Sequence, residues 1–170
     1  MEKTLKILNE LEKSGLITRY AIGGAIAVLF HAEPVLTYDL DVFCFLPAQT
    51  GKIVTLSPLY EFLRKKGYRE DKEHVLIEGV PVRFIPAYNP LVEEAVEQAH
   101  ATRFRRTTTR VVRVEHLVAI MLQTDRPKDR TRITHLLDEA RIDARALNRI
   151  LKRHGLAAQW LAFKRRYYEN

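Results

Sequence analysis

The sequence predicts an α/β fold of the α+β kind: a small mixed sheet flanked by helices, with a C-terminal helical region behind it. Three observations predict this. Short β-branched and aromatic runs alternate with helical spacings up to residue 114. From Glu115 onward only helical spacing is found. Hydrophobic residues make up 46% of the 170 positions and charged residues 29%, a balance that can bury one sizeable core. The expected organisation is a core over 1–114 and a helical region over 115–170, packed on it as one integrated unit.

The elements follow in order. Leu5, Leu8 and Leu11 step by three and Ile7 to Leu11 by four, so residues 4–13 read as an amphipathic helix stopped at Ser14-Gly15. Leu16 to Ile22 reads as a strand ended by Gly23-Gly24. Ala25 to His31 reads as a buried helix that closes by Glu33-Pro34, because the residue before proline disfavours the α region. Tyr38 to Leu46 turns almost wholly apolar, as a central strand does. Ser57-Pro58 opens a helix, Ser57 as cap and Pro58 in the first turn, and it ends at Lys65-Lys66-Gly67. His74 to Glu78 and Val80 to Ile85 flank Gly79 as a hairpin. Leu91 to His100 is expected to be helical and Arg110 to Val114 a last strand. Then come a helix around Leu117 to Leu122, a second over Lys128 to Ala140, a third capped by Asp143 and stopped near Gly155, and a last over Leu156 to Tyr167.

The candidate chemistry lies in Gly23-Gly24 followed by Asp39-Leu40-Asp41. On a strand, residues i and i+2 share a face, so Asp39 and Asp41 present two carboxylates together while Leu40 enters the core. Two such charges repel unless a cation lies between them. Hard oxygen donors suit Mg²⁺ (or Mn²⁺), which also brings waters and substrate phosphates. Glycines before a helix let the backbone approach a phosphate and aim amides at it. Thr37, two residues before Asp39, shares that expected face. Each piece alone is commonplace: a Gly-Gly pair is often a tight turn, and Asp-x-Asp is often solvated. The core-type setting of this Asp pair favours the metal reading, since acids are rarely buried without a partner.

The stretch from Tyr20 to Phe43, with its Gly-Gly turn and T-x-D-h-D strand, resembles the nucleotidyltransferase superfamily of DNA polymerase beta-like enzymes. It looks closest to the small bacterial branch around the AbiEii type IV toxins. Glu115 to Leu122 with Arg126-Pro127-Lys128-Asp129 is similar to that branch's helix and turn. The resemblance implies a nucleotidyltransferase fold and transfer of a nucleotide from a Mg-NTP, with Asp39 and Asp41 as catalytic, metal-holding carboxylates. It implies that Gly23, Gly24, Thr37, Arg126, Lys128 and Asp129 lie at the nucleotide. It also implies an acceptor such as tRNA or a protein, and an antitoxin partner. Three positions depart from the pattern. Arg83 stands where a third carboxylate is expected on a later strand. Met121 replaces a common lysine, and Val35 a common arginine.

Charge is uneven. Residues 1–100 hold 11 Lys/Arg and 14 Asp/Glu, a net of −3, and residues 101–170 hold 17 and 7, a net of +10. Fourteen of those 17 are arginine, whose planar fork suits phosphate. Arg145, Arg149, Lys152 and Arg153 fall on one predicted helix beside a turn at Ala140 to Asp143. Nucleic-acid binding and a solvated basic surface both stay open. The six histidines show no metal-ligand spacing. The lone Cys44 lies in an apolar run, as a buried thiol of a reducing cytoplasm does. No apolar run reaches the roughly 18 residues of a membrane span, and Met1 to Lys6 lacks the apolar segment of a signal peptide. Two functions stay open: a metal-dependent nucleotidyltransferase, or a degenerate member that binds nucleotide or nucleic acid without turnover.

Overall fold

The computed structural model describes residues 1–32, 39–48 and 55–168. Its elements are α1 (Glu2–Lys13), β1 (Arg19–Ile22), α2 (Gly24–Val28), β2 (Leu40–Phe45), α3 (Ser57–Lys65), β3 (Arg69–Asp71), β4 (His74–Ile77), β5 (Val80–Pro86), α4 (Pro90–Glu97), β6 (His100–Phe104), β7 (Thr107–Val111), α5 (Val114–Thr124), α6 (Pro127–Glu139), α7 (Ala144–Arg153) and α8 (Ala157–Tyr167). Seven strands form one mixed sheet in the order β3-β4-β5-β2-β1-β7-β6. β2 lies at its centre, antiparallel to β1 and parallel to β5. Its burial explains its composition: Leu40, Val42, Phe43 and Cys44 are all in the core. The mixed α/β architecture is the one the residue pattern predicts.

Helices cover the sheet. α1 buries Leu5, Leu8 and Leu11, and its side chains also bond to the sheet. Thr4 Oγ1 donates to the Ile77 carbonyl (3.2 Å) and Asn9 Nδ2 to the Thr108 carbonyl (2.9 Å). α4 packs on β1 and β2, and α5 packs on α2, α4, α6 and α7. Every residue of α5 from Val114 to Leu122 is buried. The apolar spacing that predicts this helix therefore reports burial on all sides, not one stripe. Among the described residues, no helix is long and apolar enough to cross a membrane.

Several expectations change. α2 is five residues long and does not continue helically to His31. Leu29, Phe30 and His31 donate to carbonyls three residues back, which tightens the chain out of the α-helix. Ser57 is the first residue of α3 and not its cap: Leu56 holds that place, its carbonyl accepting from Tyr60 N (3.0 Å). The α4 helix stops at Glu97, so His100 lies in β6 and pairs with Val111. The last strand starts at Thr107, earlier than Arg110, and Val114 already belongs to α5. The predicted hairpin is present as β4 and β5, with Glu78 at φ 53° and Gly79 at φ 79° in its two-residue turn.

Glu94 joins three helices. Its carboxylate, only 12% exposed, accepts from His116 Nε2 of α5 (3.2 Å), Arg153 Nη1 of α7 (2.6 Å) and His154 Nε2 (2.7 Å). Burial pushes its carboxyl up, but hydrogen bonds from His154, His116 and Arg153 outweigh this and hold it down at about 2, against an ordinary 4.5. Burial lowers the His116 pKa, against the Glu94 hydrogen bond and charge, which raise it. A carboxyl whose folded pKa is depressed adds stability above its unfolded pKa and loses it as pH falls towards the folded value. Wild-type protein is therefore expected to lose on the order of 2 kcal/mol more than Glu94→Gln between about pH 4.5 and pH 2, allowing for solvent screening. Denaturant melts of both proteins across that range check it. Parallel losses would show that the carboxylate is not held this way.

Candidate active site

The site grows from the close approach of α2 to β2. Gly23 N–H donates to the Asp41 carbonyl (2.9 Å), which seats the Gly-Gly turn beside the strand. A Cβ at Gly23 would overlap the Phe43 ring. Gly24 has φ +56°, and a Cβ there would overlap Asp41 Oδ2. Both glycines are thus demanded by side chains of β2. With only five residues, α2 brings local amides to this turn and little helix dipole.

The two candidate carboxylates are not equivalent. Asp41 is 9% exposed and is the second residue of the otherwise apolar β2. Parallel pairing sets it opposite Arg83 of β5. Arg83 donates to Asp41 Oδ1 from Nε (2.9 Å), with Nη2 2.8 Å away, and from Nη1 to Glu73 Oε2 (3.3 Å). Burial lowers the guanidinium's pKa, but the Asp41 and Glu73 carboxylates outweigh it and the pKa rises. Arg83, which the resemblance sets in the place of a third acid, is therefore the direct neighbour of Asp41. Asp39 stands one residue before β2, its side chain 44% exposed, with Oδ2 3.7 Å from His74 Nε2. Among the described residues no group of three His, Cys, Asp or Glu converges. Glu78, the other acid near in sequence, points elsewhere and accepts from Tyr68 Oη (2.9 Å).

A cleft of about 610 Å³ opens here. Gly24, Asp41, Arg83 and Glu73 line it, and much of the remaining wall is apolar, including Leu117, Ile120 and Met121 of α5. The cleft therefore takes walls from both sides of residue 114. Met121 offers a thioether where the resemblance expects a lysine. Tyr60 and Tyr88 also face it, and Tyr88 is 55% exposed. Glu73 and Tyr60 carry no motif around them, so sequence reading passes over them, and it weighs Tyr88 as a base-stacking side chain only to prefer ordinary aromatic packing.

The second motif is built differently from a row of ligand contacts. Asp129 is fully buried and accepts from Thr124 Oγ1 (2.9 Å), Arg126 Nε (2.6 Å) and Nη2 (3.2 Å), and Arg132 Nη1 (3.4 Å). It holds Arg126, which lines the cleft, and does not itself face it. Lys128 is exposed and is not part of the cleft wall. Thr37 and Val35 lie outside the described residues.

Arg145, Arg149 and Lys152 are exposed on α7, whose N-terminus Asp143 caps through Arg145 N (2.9 Å) and Ala146 N (3.1 Å). Arg153 is tied to Glu94. Cys44 is buried, and burial pushes its thiol up to about 12, which removes it as a nucleophile.

No protein-family model matches this chain, and no curated protein sequence is significantly similar to it. Solved structures do match. An antigenic nucleotidyltransferase-like protein from Paracoccidioides brasiliensis superposes with a TM-score of 0.59 at 14% identity, over 99% of this chain and 97% of that one. The antibiotic-resistance factor ANT(2'')-Ia in solution superposes with a TM-score of 0.53 at 16% identity, over 100% of both chains. The fold is thus the nucleotidyltransferase fold.

The close approach at Gly24 has a direct test against Gly155, which also has positive φ (+70°) but open space at its Cβ position. Gly155→Ala is expected to cost about 1–2 kcal/mol from backbone strain alone. Gly24→Ala is expected to cost about 1–3 kcal/mol more, because Asp41 must move. Chemical denaturation measures both. Equal losses would mean that Gly24 and Asp41 are not in contact.

Proposed function

We propose that the chain binds a Mg-nucleoside triphosphate in the 610 Å³ cleft and transfers its nucleotidyl group to an acceptor, whose oxygen bonds to the α-phosphorus as the α–β anhydride breaks and pyrophosphate leaves. The observation that carries this is the convergence of the Gly24 turn, Asp41 and Arg83 at one polar patch of an otherwise largely apolar cleft, on a nucleotidyltransferase fold. Polar groups gathered within an apolar wall suit a ligand with a charged tail and a flat, weakly polar head.

The residues present fit one divalent cation. Mg²⁺ commonly takes one or two carboxylates and completes its shell with water and phosphate oxygens. Asp41 stands in the cleft wall, and Asp39, two residues earlier, lies outside that wall beside His74, so Asp41 would hold the ion first and Asp39 would join it from the rim. When bound, such an ion neutralises phosphate charge. A second cation is not provided for, since Arg83 stands beside Asp41 as a fixed positive charge.

The remaining roles belong to the chain itself. Gly24 lets the backbone approach the phosphates. Arg83 and Arg126 offer guanidinium forks to them. Tyr60, Tyr88 and the apolar face of α5 exclude water and receive the base. Glu73, whose side chain is 74% exposed, is an acid in the cleft wall that can take the acceptor's proton.

The resemblance adds the finer reading. The acceptor is an RNA or a protein and the chain acts as a toxin held by an antitoxin. Arg145, Arg149 and Lys152 then meet RNA phosphates, with Arg153 limited by its bond to Glu94. The Arg83–Asp41 ion pair favours a second reading, a fold that retains nucleotide binding without turnover.

Titration calorimetry with the four NTPs and Mg²⁺ tests the site. At least one NTP is expected to bind, and Asp41→Asn and Asp39→Ala to weaken it about tenfold or more. Unchanged affinity in both variants would remove these residues from the site. Incubation with labelled NTP and cellular RNA or protein separates the two readings, since only transfer leaves label on an acceptor.

A further inference from the structure

We infer that Arg83 is a place-holding cation that makes metal and nucleotide binding depend on each other. This rests on the nucleotide reading above and deepens it. Asp41 is nearly enclosed and one of its oxygens accepts from Arg83 Nε (2.9 Å), with Arg83 Nη2 2.8 Å away. An enclosed carboxylate without a counter-charge is strongly disfavoured, so this pairing stabilises Asp41 where it lies.

The same pairing opposes a metal ion that arrives alone. The ion would have to share Asp41 with a guanidinium tethered on the adjacent strand, and the two positive charges repel. Asp39, the other carboxylate, is about half exposed and close to His74, so by itself it offers a single partly solvated ligand. A nucleotide that arrives alone meets the converse difficulty. Its phosphates face Asp41 and Glu73, and the Arg83 charge is already committed to those two acids.

Arriving together, the partners exchange. The phosphates take the guanidinium, whose fork suits them, and Asp41 turns to the metal that the phosphates carry. Each negative group keeps a positive neighbour throughout. Arg83 is 26% exposed at its side chain, and its second partner, Glu73, is 74% exposed, so this half of the pairing loosens readily. The coupling is reciprocal, as linkage requires: whatever the nucleotide does for the metal, the metal does for the nucleotide.

The test uses the whole chain and three titrations: Mn²⁺ alone, a non-hydrolysable nucleoside triphosphate in EDTA, and that triphosphate with Mn²⁺. Electron paramagnetic resonance reads free Mn²⁺, and calorimetry reads the nucleotide. Wild-type protein is expected to bind the triphosphate at least about tenfold more tightly with Mn²⁺ than in EDTA, and to bind Mn²⁺ alone only weakly. Arg83→Gln is expected to bind Mn²⁺ alone about tenfold more tightly than wild type and to lose most of the coupling. Arg83→Lys, which keeps the charge without the fork, should retain weak binding of Mn²⁺ alone.

Tight binding of Mn²⁺ alone to wild type, or triphosphate binding indifferent to Mn²⁺, overturns the inference and leaves the nucleotide reading standing. So does an Arg83→Gln protein, folded by circular dichroism, whose coupling equals that of wild type. If Arg83→Gln does not fold, the wild-type titrations decide alone. Absence of triphosphate binding to wild type in every condition overturns the nucleotide reading and this inference with it.

Discussion

The site depends on one enclosed charge. Asp41 is the second residue of β2, the central strand, between the buried Leu40 and Val42. A carboxylate in that setting must have a counter-charge and must have room. Arg83 supplies the first from the parallel neighbour β5, and Gly24 supplies the second by having no side chain. The Gly-Gly turn, the strand and the arginine are therefore parts of one solution. Changing any of them disturbs the others.

Two more enclosed acids repeat the arrangement. Asp129 draws in Arg126, Arg132 and Thr124, and Glu94 draws in Arg153, His154 and His116. The arginine excess of residues 101–170 is thus partly spent inside the molecule. Arg110 is paired with the partly buried Glu12, and Arg130 with Asp125 at the surface. What stays open to an anionic partner is narrower than the net charge suggests, and it includes the exposed face of α7.

Much of the fold was legible because burial writes itself into composition. β2 and α5 are enclosed on all sides and read as continuous apolar runs, and α1 shows a stripe because it has one buried face. The elements that escaped have no such signature. β3 is Arg69-Glu70-Asp71, wholly exposed at the sheet edge. The β6–β7 turn places Arg105 at φ +54° without a glycine to announce it. At the site, Gly23, Gly24 and Asp41 were readable from local spacing. Glu73, Tyr60 and Tyr88 reach the cleft only through tertiary packing, and Asp129 looked like a contact until its burial made it a support for Arg126.

The nucleotidyltransferase fold gives the cleft its place, and the Asp41–Arg83 pair gives it its particular chemistry: a carboxylate kept ready by a cation that can be handed to phosphate. A crystal structure with Mn²⁺ and a non-hydrolysable nucleoside triphosphate examines this most directly. The anomalous signal of manganese should lie within bonding distance of both Asp39 and Asp41, with Arg83 on the phosphates. A nucleotide bound elsewhere, or one bound in the cleft while Arg83 still holds Asp41 and no manganese sits beside it, would contradict it.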